Sequence, residues 1–331
     1  MKYLKKYKLF ESINETEIHE ICKKYDIENY TINVDGSIDV KGDVYCTSIR
    51  HGKGLTRLPL KFRNVSGDFW CHSNQLTSLE GSPKSVGGSF DCTDNELVSL
   101  EGAPSSVSGD FYCHNNHLTS LEGAPSSVSG DFFCSYNNLT SLKGAPNRVG
   151  GDFHCFNNQL TSLEGAPNRV GGNFYCHDNQ LTSLKGAPES VGGGFYCNHN
   201  KLTSLEGAPT SAGGNFYCQY NKLTSLEGAP SSVGVNFFCS NNQLISLEGL
   251  EWKSFRSINL VNNPVYEIVK DWINHEDRED LIEYFIDMNV IQDGKTKPKL
   301  ILPRLEAFHE DMNLEMKINF KEVKKYYEII K

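Results

Sequence analysis

The 331-residue sequence contains no apolar run that approaches the ~18 residues of a membrane-spanning helix. The first residues, MKYLKKYKLFESINETEI, also lack an apolar stretch of signal-peptide length and a small-residue cleavage site. We therefore expect a soluble, cytoplasmic protein that does not associate with membranes and whose cysteines stay reduced.

Basic residues are outnumbered by acidic ones. The chain has 32 Lys and Arg against 41 Asp and Glu, and its formal net charge is -9. Binding to a phosphate backbone depends largely on contacts from Lys and Arg. The charge balance therefore argues against nucleic acid as a partner.

Motifs that mark enzymes are missing as well. The sequence has no P-loop, no G-x-S-x-G elbow and no dinucleotide-binding fingerprint. Two stretches, at His275 and His309, begin like the zinc motif H-E-x-x-H, but they continue to Glu279 and Asn313 where the second His is needed. We predict a non-enzymatic protein with no metal site and no cofactor.

What the sequence does contain is a regular row of cysteines. From Cys71 onward, consecutive cysteines are 21 residues apart, at 71, 92, 113, 134, 155, 176, 197, 218 and 239. Metal sites need clustered pairs such as C-x2-C, and this row contains none. The spacing indicates an internal repeat rather than zinc or disulfide chemistry.

Aligned on the cysteines, the repeats read V-x-G-[DN]-F-x-C-x-x-N-x-L-T-S-L-[EK]-G-A-P-x-x, as in 107–127. The core F-x-C-x-x-N-x-L has the spacing of the leucine-rich repeat signature L-x-L-x-x-N-x-L. Over about residues 38 to 265 the chain resembles the leucine-rich repeat family, and most closely its short bacterial form. It departs from that form at V-x-G-D-F, which is one residue longer. The resemblance implies an α/β solenoid, a horseshoe with a parallel β-sheet on its concave face.

Three segments are predicted: an N-terminal cap of a helix and a strand (1–37), a solenoid of about 11 turns (38–263) and a C-terminal helical cap or subdomain (264–331). Asn14 is the expected N-cap of the first helix, and the alternating run 32–40 is the expected strand. Helices are expected near 265–274, 278–289, 301–312 and 320–330. These C-terminal helices would cover the last repeat, and whether they also bind a partner stays open.

Within each repeat, the Phe and Cys of F-x-C should point into the core, because side chains alternate along a strand. Asn recurs at the same position of every repeat from Asn74 to Asn263. This repetition predicts side chains that bond backbone groups where the strand turns away. The residue between Phe and Cys points to the opposite side, and in seven of ten turns it is Phe, Tyr or Trp.

We call this row the aromatic column. At ~4.8 Å per strand it would be ~43 Å long, and exposed apolar area of that extent marks contact sites. The candidate partner-binding residues are Trp70, Tyr112, Phe133, His154, Tyr175, Tyr196, Tyr217 and Phe238.

Acidic residues precede several of the inward-facing phenylalanines. Asp110, Asp131 and Asp152 would face a basic patch on a protein partner, with the aromatic residues as anchors and the charge as steering. In the alternative interpretation, the rings only stack on one another and stabilise the sheet. Recent duplication of the repeats would then have copied them regardless of use.

Taken together, these patterns predict a protein–protein interaction module. The chain also resembles leucine-rich repeat proteins of large tailed phages and some bacteria. That resemblance implies an inhibitor or adaptor of a host protein, including a host-defence protein, acting in the host cytoplasm if a phage encodes it. Carbohydrate binding and a structural role in a virion are the alternatives. The identity of the partner and the oligomeric state stay open.

Overall fold

The computed structural model describes residues 13–48, 54–250 and 255–331. The chain divides into two compact units, one up to Tyr175 and the other from Cys176 onward. None of the helices in the described ranges combines the length and the apolarity that crossing a bilayer requires.

Each turn of the first unit contributes two short strands to two parallel sheets. One sheet, which we call the phenylalanine sheet, is the one predicted from F-x-C. Its strands in this unit are Val44–Tyr45, Phe69–Trp70, Phe90–Asp91, Phe111–Tyr112, Phe132–Phe133, Phe153–His154 and Phe174–Tyr175. From Phe69 onward each strand pairs with the equivalent residues 21 positions away, so the register predicted from the cysteines is confirmed.

The second sheet, the valine sheet, is formed by the segment that precedes each Phe strand. In the first unit its parallel strands are Ile38–Val40, Phe62–Val65, Ser85–Val86, Ser106–Val107, Ser127–Val128, Arg148–Val149 and Arg169–Val170. The sequence does not predict this sheet, because a two-residue strand is too short for alternation to be read.

The second unit continues the same repeat. Its valine-sheet strands are Ser190–Val191, Ser211–Ala212 and Ser232–Val233, and its phenylalanine-sheet strands are Phe195–Tyr196, Phe216–Tyr217, Asn236–Phe238 and Ser257–Asn259. In the final turn Ile258 and Leu260 take the places of Phe and Cys, and both are buried.

The core of every turn consists of the predicted residues. In a representative turn, Phe111, Cys113, Leu118 and Leu121 are all fully buried. The phenylalanines stack along the solenoid, and the ring centroids of Phe111 and Phe132 are 5.2 Å apart. One turn could not bury this apolar face by itself, so stacking of neighbouring turns is what forms the core.

The Asn side chains form a ladder that ties each turn to the one before it. Asn116 Nδ2 donates to the carbonyl oxygens of Cys113 in its own turn and Cys92 in the preceding turn, at 3.3 and 3.0 Å. Its Oδ1 accepts the backbone N–H of Leu97 at 3.0 Å. The amide thereby satisfies backbone groups that the turn leaves buried, as predicted.

At the N-terminal end, helix α1 spans Glu15–Lys24 and Asn14 is its N-cap. Asn14 Oδ1 accepts the Glu17 N–H at 3.0 Å, and the Glu17 carboxylate accepts the Asn14 N–H at 2.9 Å. The predicted single strand over 32–40 is wrong. Tyr30–Ile32 and Ile38–Val40 form an antiparallel hairpin instead, because Gly36 adopts a φ of 74° and turns the chain.

The C-terminal segment contains helices α2 (Tyr266–Val269), α3 (Arg278–Asp287), α4 (Leu302–Asp311) and α5 (Phe320–Val323), and a three-stranded sheet of Ile291–Gln292, Lys299–Ile301 and Glu328–Ile330. The predicted helix over 320–330 is wrong beyond residue 323. The last residues instead pair as a strand with Lys299–Ile301, since tertiary pairing overrides local propensity. The division of the chain at 37 and 263 stays a prediction.

Candidate functional site

The side chains of the aromatic column stack directly on one another within each unit. In the first unit the ring centroids of Tyr112 and Phe133 are 4.9 Å apart, those of Phe133 and His154 4.0 Å, and those of His154 and Tyr175 4.4 Å. The ring planes in these pairs deviate from parallel by at most 21°. Strand register explains this, because each ring lies opposite the equivalent position one turn away.

The second unit has the same arrangement. Tyr196 stacks on Tyr217 with centroids 4.5 Å apart, and Tyr217 stacks on Phe238 at 4.7 Å. At the N-terminal end of the column, Trp70 makes a tilted contact with Tyr45 at 5.5 Å and 57°. The structure therefore brings seven of the eight predicted residues together as two ring stacks, one in each unit. Trp70 lies outside these stacks, because Asp91 separates it from Tyr112.

All eight predicted aromatic residues are half-buried. Within the two stacks each ring covers a face of its neighbour, so that mainly ring edges and tyrosine hydroxyls remain accessible there. Stacked aromatic pairs of this kind stabilise a fold by ~0.5–1.5 kcal/mol each. The column thus has the stabilising role of the alternative interpretation, and each of the two stacks also leaves ring edges at the surface.

The predicted acidic residues are engaged with the backbone, which the sequence analysis did not foresee. Oδ1 of Asp110 accepts the Asp131 N–H at 2.7 Å, and Oδ1 of Asp131 accepts the Asp152 N–H at 2.7 Å. Asp152 Oδ1 accepts the N–H of Asn173 at 2.6 Å. Each carboxylate therefore holds the start of the next strand, and only its second oxygen remains for other contacts.

A recurring glycine makes room for each of these carboxylates. A Cβ at Gly130 would lie 2.0 Å from Asp110 Oδ1, and one at Gly151 would lie 2.0 Å from Asp131 Oδ1. The G-D dipeptide that recurs in the repeats is the signal that could have predicted this contact.

The second carboxylate oxygens differ between turns. Tyr112 Oη donates to Asp110 Oδ2 at 2.8 Å. Asn173 Nδ2 donates to Asp152 Oδ2 at 3.2 Å, and His154 Nε2 lies 3.8 Å from the same oxygen. Phe133 offers no such group to Asp131. Burial raises the pKa of Asp131, and the neighbouring charges of Asp110 and Asp152 add to the shift, although the hydrogen bond from the Asp152 N–H opposes it.

Two exposed tyrosines lie outside the predicted site. Tyr136 and Tyr220 are each 52% exposed and precede the ladder Asn of their turns. Both have left-handed backbone conformations, with φ of 52° and 54°, which turns the side chain outward. Tyr220 stacks on His199 with centroids 4.4 Å apart. The position just before the ladder Asn in F-x-C-x-x-N could have predicted them.

The cysteines are suited to packing rather than to chemistry. All eleven are buried and free. Burial raises the pKa of the Cys22 thiol to about 11 and that of Cys46 to about 12, so little thiolate forms at neutral pH. Across residues 13–48, 54–250 and 255–331, no group of three or more His, Cys, Asp or Glu side chains could hold a metal ion.

Parallel stacked turns of 21 residues, an Asn ladder and a Phe, Cys and Leu core define a leucine-rich repeat solenoid. Such a solenoid is an architecture, and an architecture does not by itself establish an activity.

Among solved structures, the chain is similar to the leucine-rich repeat protein YopM from Yersinia enterocolitica WA-314, with a TM-score of 0.51 and 22% sequence identity. The match covers 67% of this chain and 47% of that one, so the chain spans about half of the length of YopM. At this identity the likeness concerns the fold alone. No protein-family model and no curated protein matches the chain.

Proposed function

We propose that this protein is a non-enzymatic module that binds a protein partner through the aromatic column. The observation that carries the proposal is the uninterrupted stack from Tyr112 to Tyr175, which is half-buried and bordered by the carboxylates of Asp110, Asp131 and Asp152. Rings fixed by stacking lose little conformational freedom on binding, so their contacts with a partner are not offset by a large entropy cost.

The charge of this surface indicates the chemistry of the partner. Asp131 Oδ2 accepts no hydrogen bond from any residue that the structure describes, and the whole chain carries a net charge of -9. A partner with a basic patch would be attracted to this surface and oriented on it. The eleven free buried thiols support a reducing compartment such as the cytoplasm. The resemblance to phage-type repeat proteins supports a host protein as the partner.

The ring geometry favours a protein over a carbohydrate. Sugar rings bind on open aromatic faces, whereas the faces of Phe133 and Tyr217 are covered on both sides by neighbouring rings. Ring edges and tyrosine hydroxyls are better suited to the mixed apolar and polar surface of a protein.

The test begins with capture of a stoichiometric protein partner by the tagged chain and measurement of its Kd by calorimetry. The double variant Tyr196→Ser and Tyr217→Ser should weaken binding at least about tenfold, since aromatic anchors carry much of the energy of an interface. The matched control is Tyr326→Ser, which removes an exposed tyrosine from the C-terminal segment.

Circular dichroism would establish that both variants remain folded. Full affinity in the double variant combined with loss in Tyr326→Ser would move the site to the C-terminal segment. Binding to a glycan array without any protein partner would favour the carbohydrate alternative.

A further inference from the structure

The aromatic column of the first unit is interrupted at one position. Strand register places Asp91 between Trp70 and Tyr112, where the other turns of this stretch place a ring. Adjacent strands are ~4.8 Å apart, so the backbones of Trp70 and Tyr112 are ~9.6 Å apart. A carboxylate is much smaller than a phenol ring. We call the resulting space, bounded by Trp70, Asp91 and Tyr112, the Asp91 gap.

The two aromatic walls of the gap are held in place from their outer sides. One face of Tyr112 is covered by Phe133, with centroids 4.9 Å apart, and its hydroxyl is held by Asp110 at 2.8 Å. Trp70 contacts Tyr45 from the preceding turn at 5.5 Å. Phe133 stacks on Tyr112, and Tyr45 makes a tilted contact with Trp70, each from the side away from the Asp91 turn. On the side toward that turn the column offers neither residue a ring, because Asp91 holds the position.

Asp91 carries a charge that no neighbour neutralises. Its Oδ1 accepts the backbone N–H of Thr93 at 2.9 Å and the Thr93 hydroxyl at 2.7 Å, which fixes the carboxylate. Oδ2 accepts no hydrogen bond, and Asp91 forms no ion pair, within the described part of the chain. The nearby His114 supplies no countercharge near neutral pH, because burial lowers its pKa despite the opposing effect of Asp91 and Asp94.

We propose that the Asp91 gap receives an arginine side chain of the protein partner. The guanidinium stacks between the rings of Trp70 and Tyr112 and donates hydrogen bonds to Asp91 Oδ2. This inference rests on the proposed function, which supplies a protein with a basic patch as the partner, and it specifies which group of that partner is recognised and where.

The spacing of the column fits this occupant. In the uninterrupted stretch the rings follow one another at 4.0 to 4.9 Å. A planar group that completes the stack would lie ~4.8 Å from each wall, within the ~6 Å over which a cation is attracted to an aromatic face. A guanidinium is planar and always charged, and it presents its donors in the plane, so it can stack and bond a carboxylate at once. A lysine ammonium cannot stack.

A purely local role for Asp91 is the competing explanation. Asn259, at the same repeat position in the second unit, accepts the N–H of Val261 at 3.1 Å, just as Asp91 accepts that of Thr93. The turn therefore requires an oxygen but not a charge. This comparison supplies two informative substitutions. Asp91→Asn keeps the acceptor and removes the charge, whereas Asp91→Tyr fills the gap with the ring that neighbouring turns carry.

The gap can be tested without the natural partner. The probe is the peptide acetyl-Gly-Arg-Gly-amide, and the readout is the NMR signal of the Trp70 indole Nε1–H, assigned among the three tryptophans with Trp70→Phe. This nitrogen is buried and has no hydrogen-bond partner in the described ranges, so its signal reports directly on the wall of the gap. We expect a saturable shift with the arginine peptide.

The variants separate charge, space and local structure. Asp91→Asn should bind the peptide about fivefold or more weakly, because the ion pair with the guanidinium is lost. Asp91→Tyr should show no shift at all. The control Asp94→Asn removes the same charge from the same turn outside the gap and should bind within about twofold of the unmodified protein. Circular dichroism of all three variants verifies the fold.

Several outcomes would overturn the proposal. Equal binding of the neutral citrulline peptide would exclude recognition of a cation. Unchanged binding by Asp91→Asn would leave Asp91 with its local role alone. Equal affinity for the lysine peptide would refute the assignment to a stacked guanidinium.

The two proposals fail separately. An identified partner could bind Asp91→Tyr as tightly as the unmodified chain and yet lose affinity for the Tyr196 and Tyr217 double variant. That result would support the proposed function and refute the binding of an arginine in the Asp91 gap. If that double variant keeps full affinity, the proposed function falls, and the peptide titration still decides whether the gap binds a guanidinium.

Discussion

At the scale of single residues, the G-D pair is the feature with the clearest physical consequence. Asp131 can hold the N–H of Asp152 at 2.7 Å only because Gly151 has no side chain in the space that the carboxylate occupies. The glycine and the aspartate of this motif therefore act between turns: the glycine of one turn makes room for the aspartate of the preceding turn.

Gly151→Ala should destabilise the protein by ~1–3 kcal/mol, as overpacking does in a filled interior. The new Cβ would lie 2.0 Å from Asp131 Oδ1 and 3.1 Å from the backbone carbon of Gly130. The control is Gly54→Ala, whose Cβ would make ordinary contacts of 3.5 Å or more with Gln75. Urea denaturation of the two variants gives the comparison. Equal stability would mean that the carboxylate moves aside without cost.

Asp131→Asn should increase stability at neutral pH. The raised pKa of Asp131 means that the folded state binds its proton more tightly than the unfolded state. Its charge therefore opposes folding at pH 7, and stability is regained as the pH falls through the raised pKa toward the ordinary value of 3.8. Asparagine keeps the acceptor, as Asn215 does for the N–H of Asn236 at 3.0 Å.

The measurement is the free energy of unfolding of both proteins between pH 7 and pH 4. The stabilising effect of the substitution should shrink as the pH falls through that range. A constant difference between the two curves would show that the Asp131 charge is not disfavoured in the folded protein.

At the scale of elements, the repeat was predictable and the segments outside it were less so. The cysteine spacing predicts the Phe strands and the inward direction of Phe111, Cys113 and Leu118, because identical turns must stack in register. The valine sheet and the strand Glu328–Ile330 are not predictable from local pattern. Their strands are only two to four residues long, and their pairing partners lie one turn away or about thirty residues upstream.

The candidate site was predictable in composition but not in its interactions. That Tyr112, Phe133 and His154 share one surface follows from the repeat. The covered ring faces and the hydrogen bond from the backbone to Asp131 could not be predicted from the repeat. A side chain that binds a partner and one that binds the next turn produce the same repeated residue in the sequence. The sequence shows that Asp91 departs from the aromatic pattern of its position, but it gives no reason for the departure.

Tyr327→Phe tests how the C-terminal segment is attached to the repeats of the second unit. Tyr327 is buried, and its hydroxyl donates to the carbonyl oxygen of Ile245 at 2.8 Å. Losing the hydroxyl should cost ~1 kcal/mol, since the half-buried Ile245 carbonyl is left without this donor. Thermal unfolding measures the effect. The control Tyr326→Phe changes an exposed neighbour and should be close to neutral.

At the scale of the whole molecule, the cysteines provide a test of the packing of every turn at once. All eleven are buried, and burial raises the pKa of thiols along the row, as at Cys134 and Cys197. A thiol reagent should label none of them rapidly in the native protein and all eleven in denaturant. Rapid labelling of a few thiols under native conditions would identify turns that open locally.

The Asn ladder also determines how the solenoid would respond to mechanical force. The Asn137 side chain bonds to its own turn through the carbonyl oxygens of Cys134 and Ser135. It bonds to the preceding turn through the carbonyl oxygen of Cys113 and the N–H of Leu118. In the described repeats, the Asn ladder joins only adjacent turns, so under tension it does not spread the load over many turns. The solenoid should unravel one coil at a time, and each 21-residue coil released would lengthen the chain by ~70 Å. A force–extension curve would then show a series of small, equal steps rather than a single rupture.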